Sequence, residues 1–414
     1  MNRKLFAGIG FVGAAAFVLA GCAATPAASG PVTITYSNFI SNGGNEDKLT
    51  KIVSAFQKAN PDITVKVTTL PYDAYGTALQ TDLAAGTESD VFDINGPSAY
   101  SPLQSNGTLA ELTGVDGSVY NKALLDSYAT DGKQYGLPTS FSDVVLYYNK
   151  DLFDAAGVSY PTADWTWANE TAAAKKLTDA ATGVFGDHQP VTYNEFYKVL
   201  AQNGESFLSQ DGTKVAFNTP GGIEAAKWLV EKSGTTMPTI EQGQGTADFD
   251  TNLFKGGKLA MLHTGIWVFG AFADGPANWD IAVEPGNKKV ANAVFSNAVG
   301  VSAKSKHVAE AQKWAEFLSS SDDEVNVRLD AGWELPTISD TAKLNTYLDK
   351  GKPANRQAVF DAAKNIAVAP SIGDNQSQMQ DIVTAELVEA QAGRETVEQA
   401  LTNAETKINA LLKG

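Results

Sequence analysis

Hydrophobic and polar positions follow two different periods along this chain. Every second residue of VTITYSNF, residues 32–39, is apolar as far as Tyr36, which predicts a strand with one buried face. Leu49, Ile52 and Phe56 then recur at helical spacing, and NPDITVKV breaks that helix and begins a second strand. A strand, a helix and a strand of these lengths predict an α/β fold with a parallel sheet and right-handed crossovers.

The same alternation continues to the C-terminus. DVFDI and VVLYYN have the composition of strands, whereas WANETAAAKKLTDAA and GGIEAAKWLVEKSG have that of helices. From Met379 onward the sequence predicts two helices separated at Gly393, with an apolar stripe that docks onto the body. Trp314 shares a helical face with Ala311 and Leu318, so we expect it in the core.

The N-terminus has the pattern of an export signal. Arg3 and Lys4 precede an apolar run from Leu5 to Leu19, which ends in LAGC at Cys22. The run is too short for a permanent membrane span, and the small residues before Cys22 resemble the lipobox of bacterial lipoproteins. We therefore expect residues 1–21 to be a signal peptide, Cys22 to carry a lipid, and residues 22–31 to form a flexible tether.

Composition narrows the possible functions. Cys22 is the only cysteine, which leaves the mature chain without a disulfide or a thiol nucleophile. Cleavage before Cys22 would remove Arg3 and Lys4. The mature chain would then have 29 basic and 47 acidic side chains, a formal charge of −18. Such a surface repels nucleic acid and anionic membranes but is compatible with neutral ligands. The mature chain has about 390 residues, which is more than one compact core usually contains, so its length favours two lobes.

Catalytic motifs are missing from the sequence. It contains no phosphate loop, no Gly-x-Ser-x-Gly elbow and no His-Glu-x-x-His, and His188, His263 and His307 lie far apart along the chain. We expect no metal, no cofactor and no enzymatic activity. Because a glycosidase needs only two carboxylates placed by folding, a secreted glycosidase stays open as an alternative, as does a surface glycan-binding protein without a transport role.

Aromatic and amide side chains are concentrated in loops that follow predicted strands. These loops read SNFISNGG, DINGPSAY, PTSFSD, HTGIWVF, GWELPT and SIGDNQSQ. A sugar has apolar C–H faces and hydroxyl edges, so its binding site needs aromatic platforms beside polar side chains. The loops therefore favour a neutral sugar as the ligand.

The ordered set of motifs resembles the extracellular solute-binding proteins of ABC importers, in the carbohydrate-binding group that includes maltose-binding protein. The similar segments include AAGTESDVFDI, DGKQYGLPTSFSDVVLYYNKDLFDAAGV, FKGGKLAMLHTGIWVFG and VGVSAKSKHVAEAQKWAEFLSS. The resemblance implies two α/β lobes around a ligand cleft, with a first lobe of about residues 32–140 and 297–332 and a second of 142–294 and 336–414. It also implies a monomer on the outer face of the cytoplasmic membrane, or in a periplasm, that delivers a sugar to the permease subunits.

The resemblance also implies a set of ligand-binding residues. Asn95 stands where the family usually presents an aromatic or acidic group, and strand alternation lets either Ser142 or Asp143 face the cleft, but not both. The predicted residues are Asn38, Ser41, Asn42, Asn95, Tyr100, Ser140, Ser142, Asp143, Tyr193, Trp267, Trp333, Glu334, Asp374 and Asn375.

Two tryptophans in this set have competing interpretations. Trp267 lies among Ile266, Val268 and Phe269, a setting typical of the core, whereas the Gly-x-Trp position in the family is typically a stacking platform. Trp333 precedes Glu334 and Pro336 in a segment unsuited to regular structure, so we expect an exposed ring there. We predict ligand contact for both.

Overall fold

The computed structural model describes residues 30–42, 44–243, 246, 248–272 and 278–413. The strands are β1 Val32–Asn38, β2 Ile63–Thr69, β3 Val91–Ile94, β4 Ala129–Thr130, β5 Lys133–Gln134, β6 Gly136–Asn149, β7 Met261–Gly265, β8 Trp279–Ala282 and β9 Val294–Val301. The helices are α1 Glu46–Ala59, α2 Tyr72–Ala85, α3 Gly96–Ser105, α4 Lys122–Asp126, α5 Lys150–Ala156, α6 Trp167–Leu177, α7 Tyr193–Gln202, α8 Pro220–Val230, α9 Ile240–Gly243, α10 Phe249–Lys255, α11 Val308–Ser320, α12 Asp322–Ala331, α13 Thr341–Leu344, α14 Gln357–Ala362, α15 Gln376–Gln391 and α16 Val397–Leu411.

The main sheet has the strand order β2-β1-β3-β9-β6-β7, and β8 also pairs with β6. Strands β1, β2 and β3 run parallel, as the strand-helix-strand pattern predicts. The pairs β3–β9, β6–β9, β6–β7 and β6–β8 are antiparallel. The prediction of a parallel sheet was therefore wrong beyond the first three strands, because β9 enters the sheet only after the chain has returned from the β7 and β8 region.

Strand β6 belongs to both halves of the sheet, a first half with β1, β2, β3 and β9 and a second half with β7 and β8. Its residues 136–143 pair with β9, whereas residues 144–149 pair with β7 on one edge and β8 on the other. The chain therefore crosses from one half of the sheet to the other next to Asp143. We call residues 140–144 of β6, with the neighbouring residues 293–297 and 333–335, the crossing.

The buried core is divided along the same line. One cluster joins residues of β1, α1 and β2 to β9 and α11, with Trp314 at its centre, 5.6 Å from the Tyr36 ring and 5.1 Å from the Phe56 ring. The core position predicted for Trp314 is confirmed, since it is fully buried. Val325 and Leu329 of α12, however, pack in a cluster with Val145 and Leu259, so this helix contacts the core of both halves.

The two C-terminal helices are confirmed as α15 and α16. Gly393 between them has a left-handed φ of 69°, and Thr396 with Gln399 forms a capping box that begins α16. Val397, Leu401 and Ile408 are buried, and their helix packs against α8 and α15, so the stripe docks onto the body as predicted. Cys22 and the signal segment lie outside the described residues. Within the described part of the chain, no helix combines the length and apolarity needed to cross a membrane.

Candidate functional site

Strand ends from both halves of the sheet lie next to the crossing. The parallel strands β1, β2 and β3 end at the same edge, and Ile94 at the end of β3 pairs with Ala298, next to the crossing. On the other side, Gly265 at the end of β7 pairs with Val144. Loops that follow strand ends in an α/β sheet are where ligands bind, so the crossing is the candidate site.

Three polar side chains from three chain segments meet at the crossing. Asn297 Nδ2 lies 3.5 Å from Ser140 Oγ and 3.5 Å from Glu334 Oε1, and all three residues are buried. Burial raises the pKa of the Glu334 carboxyl, and the Arg328 guanidinium, 3.9 Å away, offsets part of that rise. The structure thus brings together Ser140 and Glu334, both predicted site residues, and adds Asn297.

Trp333 does not present the exposed ring that the sequence predicted. Its side chain is only 4% exposed, and its ring centre lies 4.2 Å from the Arg328 guanidinium carbon. Gly332 ends α12 with a left-handed φ of 62°, and the Trp333 amide donates to the Arg328 carbonyl. This turn folds the indole back over its own helix, where a cation–π contact holds it. Ligand contact by Trp333 stays a prediction.

Ser142 and Asp143 are both fully buried, rather than one of them being open to the cleft. Alternation places Asp143 on the same face of β6 as Val145 and Tyr147. Neither the Ser142 hydroxyl nor either Asp143 oxygen has a hydrogen-bond partner among the described residues. Burial raises the pKa of Asp143 well above its ordinary value, and the Glu284 carboxylate adds to the rise. Buried groups without partners are rare, so these two have hydrogen-bonding capacity to offer a ligand or water.

The loop after β1 uses most of its polar atoms internally. Asn38 Oδ1 accepts from the Ser41 amide at 3.1 Å and from the Ser41 hydroxyl at 2.7 Å, while Asn38 Nδ2 donates to Thr69 Oγ1 at 3.0 Å. Asn38 and Ser41 are buried, and Asn42 is exposed. Of the three predicted residues in this loop, Asn42 is the one accessible to a ligand in this structure.

The loop after β3 presents Asn95. Its side chain is exposed, and Nδ2 donates to the Tyr72 hydroxyl at 3.1 Å. Tyr100, one turn into α3, is instead buried, and its hydroxyl lies 2.9 Å from Thr130 Oγ1. The two predicted residues of this loop therefore face different environments.

Trp267 is set apart from its apolar neighbours. Ile266 and Phe269 are buried, whereas the Trp267 side chain is 42% exposed and its ring centre lies 5.7 Å from that of Phe295. The residue lies in a 3-10 turn, Ile266–Val268, directly after β7. Gly265 makes room for the ring, because a Cβ there would lie 1.9 Å from Trp267 Cζ3. The core interpretation of Trp267 is therefore wrong for this structure.

The remaining predicted residues are Tyr193, at the start of α7, and Asp374 and Asn375, just before α15. Tyr193 is buried, and its hydroxyl donates to the Pro370 carbonyl at 2.8 Å. Asn375 Nδ2 donates to the Leu411 carbonyl at 3.3 Å. Asp374 lies in the 3-10 turn Gly373–Asn375, but its side chain is outside the described part of the structure. Tyr193 and Asn375 thus have structural hydrogen bonds here, and their contact with a ligand stays a prediction.

Comparison with known proteins decides the family. Residues 42–325 match the family described as bacterial extracellular solute-binding protein. The chain belongs to this family. An ABC substrate-binding protein from Listeria monocytogenes, solved in complex with cycloalternan, is 42% identical, with a TM-score of 0.87 over 92% of this chain and 99% of that one.

Two further relatives extend the comparison. The cyclic alpha-maltosyl-1,6-maltose binding protein from Arthrobacter globiformis is 25% identical, with a TM-score of 0.73 over 93% of this chain and 100% of that one. A maltooligosaccharide ABC transporter solute-binding lipoprotein of Streptococcus pneumoniae is 27% identical over 99% of this chain and 97% of that protein. The predicted two-lobed α/β class and the predicted solute-binding role are confirmed, and the relatives are binding proteins rather than enzymes.

Among the residues that the structure describes, one cluster of side chains in this solute-binding protein resembles a metal site. Glu170, Asp187 and His263 are buried, and their ligand atoms lie within 4.8 Å of one another. Lys232 Nζ, however, lies 2.6 Å from Glu170 Oε1 and 2.7 Å from Asp187 Oδ2. His263 Nδ1 lies 2.6 Å from Glu284 Oε1. Because the lysine already supplies a positive charge at this point, we interpret the cluster as a buried salt-bridge network.

Sequence reasoning missed Asn297 and Tyr72 as candidates. Asn297 lies within β9, where its neighbours Ala298 and Val299 indicate a buried strand and nothing in the local pattern indicates a site. Tyr72 follows β2 in the segment LPYDAYG. The signal for Tyr72 was available, since it is an aromatic residue just after a predicted strand.

Proposed function

We propose that this solute-binding protein captures an oligosaccharide outside the membrane and delivers it to the permease of an ABC importer. The observation that carries the proposal is the exposed Trp267 ring beside a crossing that collects a hydroxyl, an amide and a carboxyl group from Ser140, Asn297 and Glu334. An aromatic face covers the apolar side of a sugar, and the polar groups suit its hydroxyls.

The relatives point to a cyclic oligosaccharide as the ligand to test first. The Listeria protein was solved with cycloalternan, and the Arthrobacter protein is named for a cyclic maltosyl-maltose. At 42% identity over nearly the whole chain, the Listeria relative supports cycloalternan as the first choice within this class.

Ligand binding is proposed to close two lobes about the crossing. The proposed lobes are residues 32–140 with 297–332 and residues 142–294 with 336–414, and the division of the core supports them except at α12, which contacts both parts. The unpartnered groups of Ser142 and Asp143 lie in the segment about which the lobes would close. Hinge closure of this kind produces the form that membrane subunits recognise.

The proposal places the protein, as a non-catalytic monomer, at the outer face of the cytoplasmic membrane through a lipid on Cys22. The sequence before Cys22 supports the anchor, and the Streptococcus pneumoniae relative carries the name lipoprotein. Labelling cells with a radioactive fatty acid should mark the wild-type protein and fail to mark Cys22→Ala. Equal labelling of the two proteins would contradict the anchor.

Isothermal titration of the mature protein tests the ligand class. Wild-type protein should bind cycloalternan or a maltooligosaccharide, and Trp267→Ala should lose about 2 kcal/mol, roughly 30-fold in Kd, because a central aromatic contact is removed. Val368→Ala, at an 84% exposed apolar position, is the control and should bind as wild type. Clear binding of amino acids or peptides with no binding of any sugar would refute the proposal.

A further inference from the structure

Tyr72 is the most exposed aromatic side chain in the described part of the chain. It is 60% exposed, and Trp267 at 42% is the other aromatic residue among the exposed large apolar side chains there. Burial of large apolar side chains is the rule in a folded protein, so an exposed ring at a strand end is informative. The two rings come from opposite halves of the sheet.

The sheet register places Tyr72 at the edge that faces the crossing. β2 ends at Thr69, which pairs with Asn38, and Tyr72 begins α2 three residues later. Trp267 follows the end of β7 in the same way, and Gly265 pairs with Val144 at the crossing. Each half of the sheet therefore presents one exposed aromatic ring after a strand end, and Asn95 links the Tyr72 ring to the end of β3, beside the crossing.

The Tyr72 ring is held in a defined orientation although it is exposed. Its centre lies 5.5 Å from that of Phe39, edge to face, and Asn95 Nδ2 donates to its hydroxyl at 3.1 Å. Phe39 follows β1 and Asn95 follows β3, so the loops after the two neighbouring strands position the ring. The Trp267 ring makes a similar edge contact with the Phe295 ring.

The geometry points to Tyr72 as a second sugar-stacking residue, contributed by the first half of the chain and acting together with Trp267. This inference rests on the proposed function. The ring is the part of Tyr72 that would act, because its hydroxyl already accepts a hydrogen bond from Asn95. A ring that needs no ordering on binding loses little conformational entropy, which favours affinity.

Isothermal titration with cycloalternan tests the inference on three variants. Tyr72→Ala should raise Kd about tenfold, since it removes one of two stacking faces. Tyr72→Phe keeps the ring and should stay within about threefold of wild type, because the aromatic face supplies most of the contact. Asn95→Ala frees the ring without removing it and should fall between the two. All three should melt as wild type does, because the substituted side chains are exposed.

The outcomes separate this inference from the proposed function. If Trp267→Ala loses affinity while Tyr72→Ala binds like wild type, the assignment of Tyr72 is wrong and sugar binding stands. If Tyr72→Phe loses as much as Tyr72→Ala, the hydroxyl rather than the ring binds the ligand, which also overturns stacking. If wild-type protein binds neither cycloalternan nor any maltooligosaccharide, both proposals fail.

Discussion

Replacing Lys232 with methionine should destabilise the folded protein strongly. The Lys232 side chain is 8% exposed, and its Nζ contacts Glu170 Oε1 at 2.6 Å, Asp187 Oδ2 at 2.7 Å and Gln189 Oε1 at 2.7 Å. The Trp228 ring covers it at 3.6 Å. Methionine keeps the length of the side chain, so the change chiefly removes the charge.

The magnitude follows from the carboxylates that remain. At the observed distances, and with an effective dielectric constant of about 20, each contact with Lys232 corresponds to about 6 kcal/mol of Coulomb attraction. The lysine is hydrated in the unfolded chain, and the loss of that hydration on folding offsets much of this attraction. Removing one partner of a buried ion pair leaves an uncompensated charge and lowers the free energy of unfolding by about 3–5 kcal/mol. We expect a loss in that range for Lys232→Met.

Lys227→Met is the matched control. Lys227 Nζ lies 2.6 Å from Glu398 Oε1, the same distance as in the Lys232–Glu170 pair, but the Lys227 and Glu398 side chains are 41% and 48% exposed. Exposed pairs contribute about 0–1 kcal/mol. Urea unfolding at pH 7 measures both variants. Similar losses for the two variants, or a loss below about 1 kcal/mol for Lys232→Met, would refute the argument from burial.

The remaining predictions concern β7 and the residues that follow it. Burial alone would lower the pKa of His263, but the Glu170 and Asp187 carboxylates outweigh it and raise the pKa well above 6.5. Nitrogen NMR at pH 7.5 should therefore detect His263 in its protonated imidazolium form. Its stabilisation is complete below pH 6.5 and disappears as pH rises through the raised pKa, so urea midpoints should fall at alkaline pH, and fall less in His263→Gln. Gly265→Ala must displace the Trp267 ring and should weaken sugar binding about tenfold by calorimetry, whereas Gly270→Ala, with open space around it, should not. An unprotonated His263 at neutral pH, or unchanged affinity in Gly265→Ala, would contradict these two arguments.

Local periodicity was sufficient for the parts of the fold that neighbouring residues determine. Trp314 was assigned to the core because Ala311 and Leu318 share its helical face, and the structure buries all three. The C-terminal helices followed from an apolar stripe and Gly393. The antiparallel course of β9 could not be predicted, because it depends on where a strand distant in sequence enters the sheet.

The exposure of a candidate side chain was predictable only where a loop directly follows a strand. Trp267 and Asn95 satisfy that condition, and both are exposed. Trp333 does not, since its orientation depends on how Gly332 ends α12 and on the Arg328 side chain one turn earlier. Sequence pattern cannot show whether an indole in an irregular segment folds onto its own helix or faces solvent, because both arrangements have the same local residues.

The buried carboxylates were even less predictable from the sequence than Trp333. Among 47 acidic residues, nothing in the sequence distinguishes Glu170 and Asp187 as a close buried pair. Folding brings them together from different segments, and Lys232 and His263, from two others, supply the compensating positive charge. A pair of carboxylates is therefore informative about function only when its cations are known. In this pair Lys232 contacts both carboxylates, so the two acids are neutralised inside the fold instead of being presented free to a ligand.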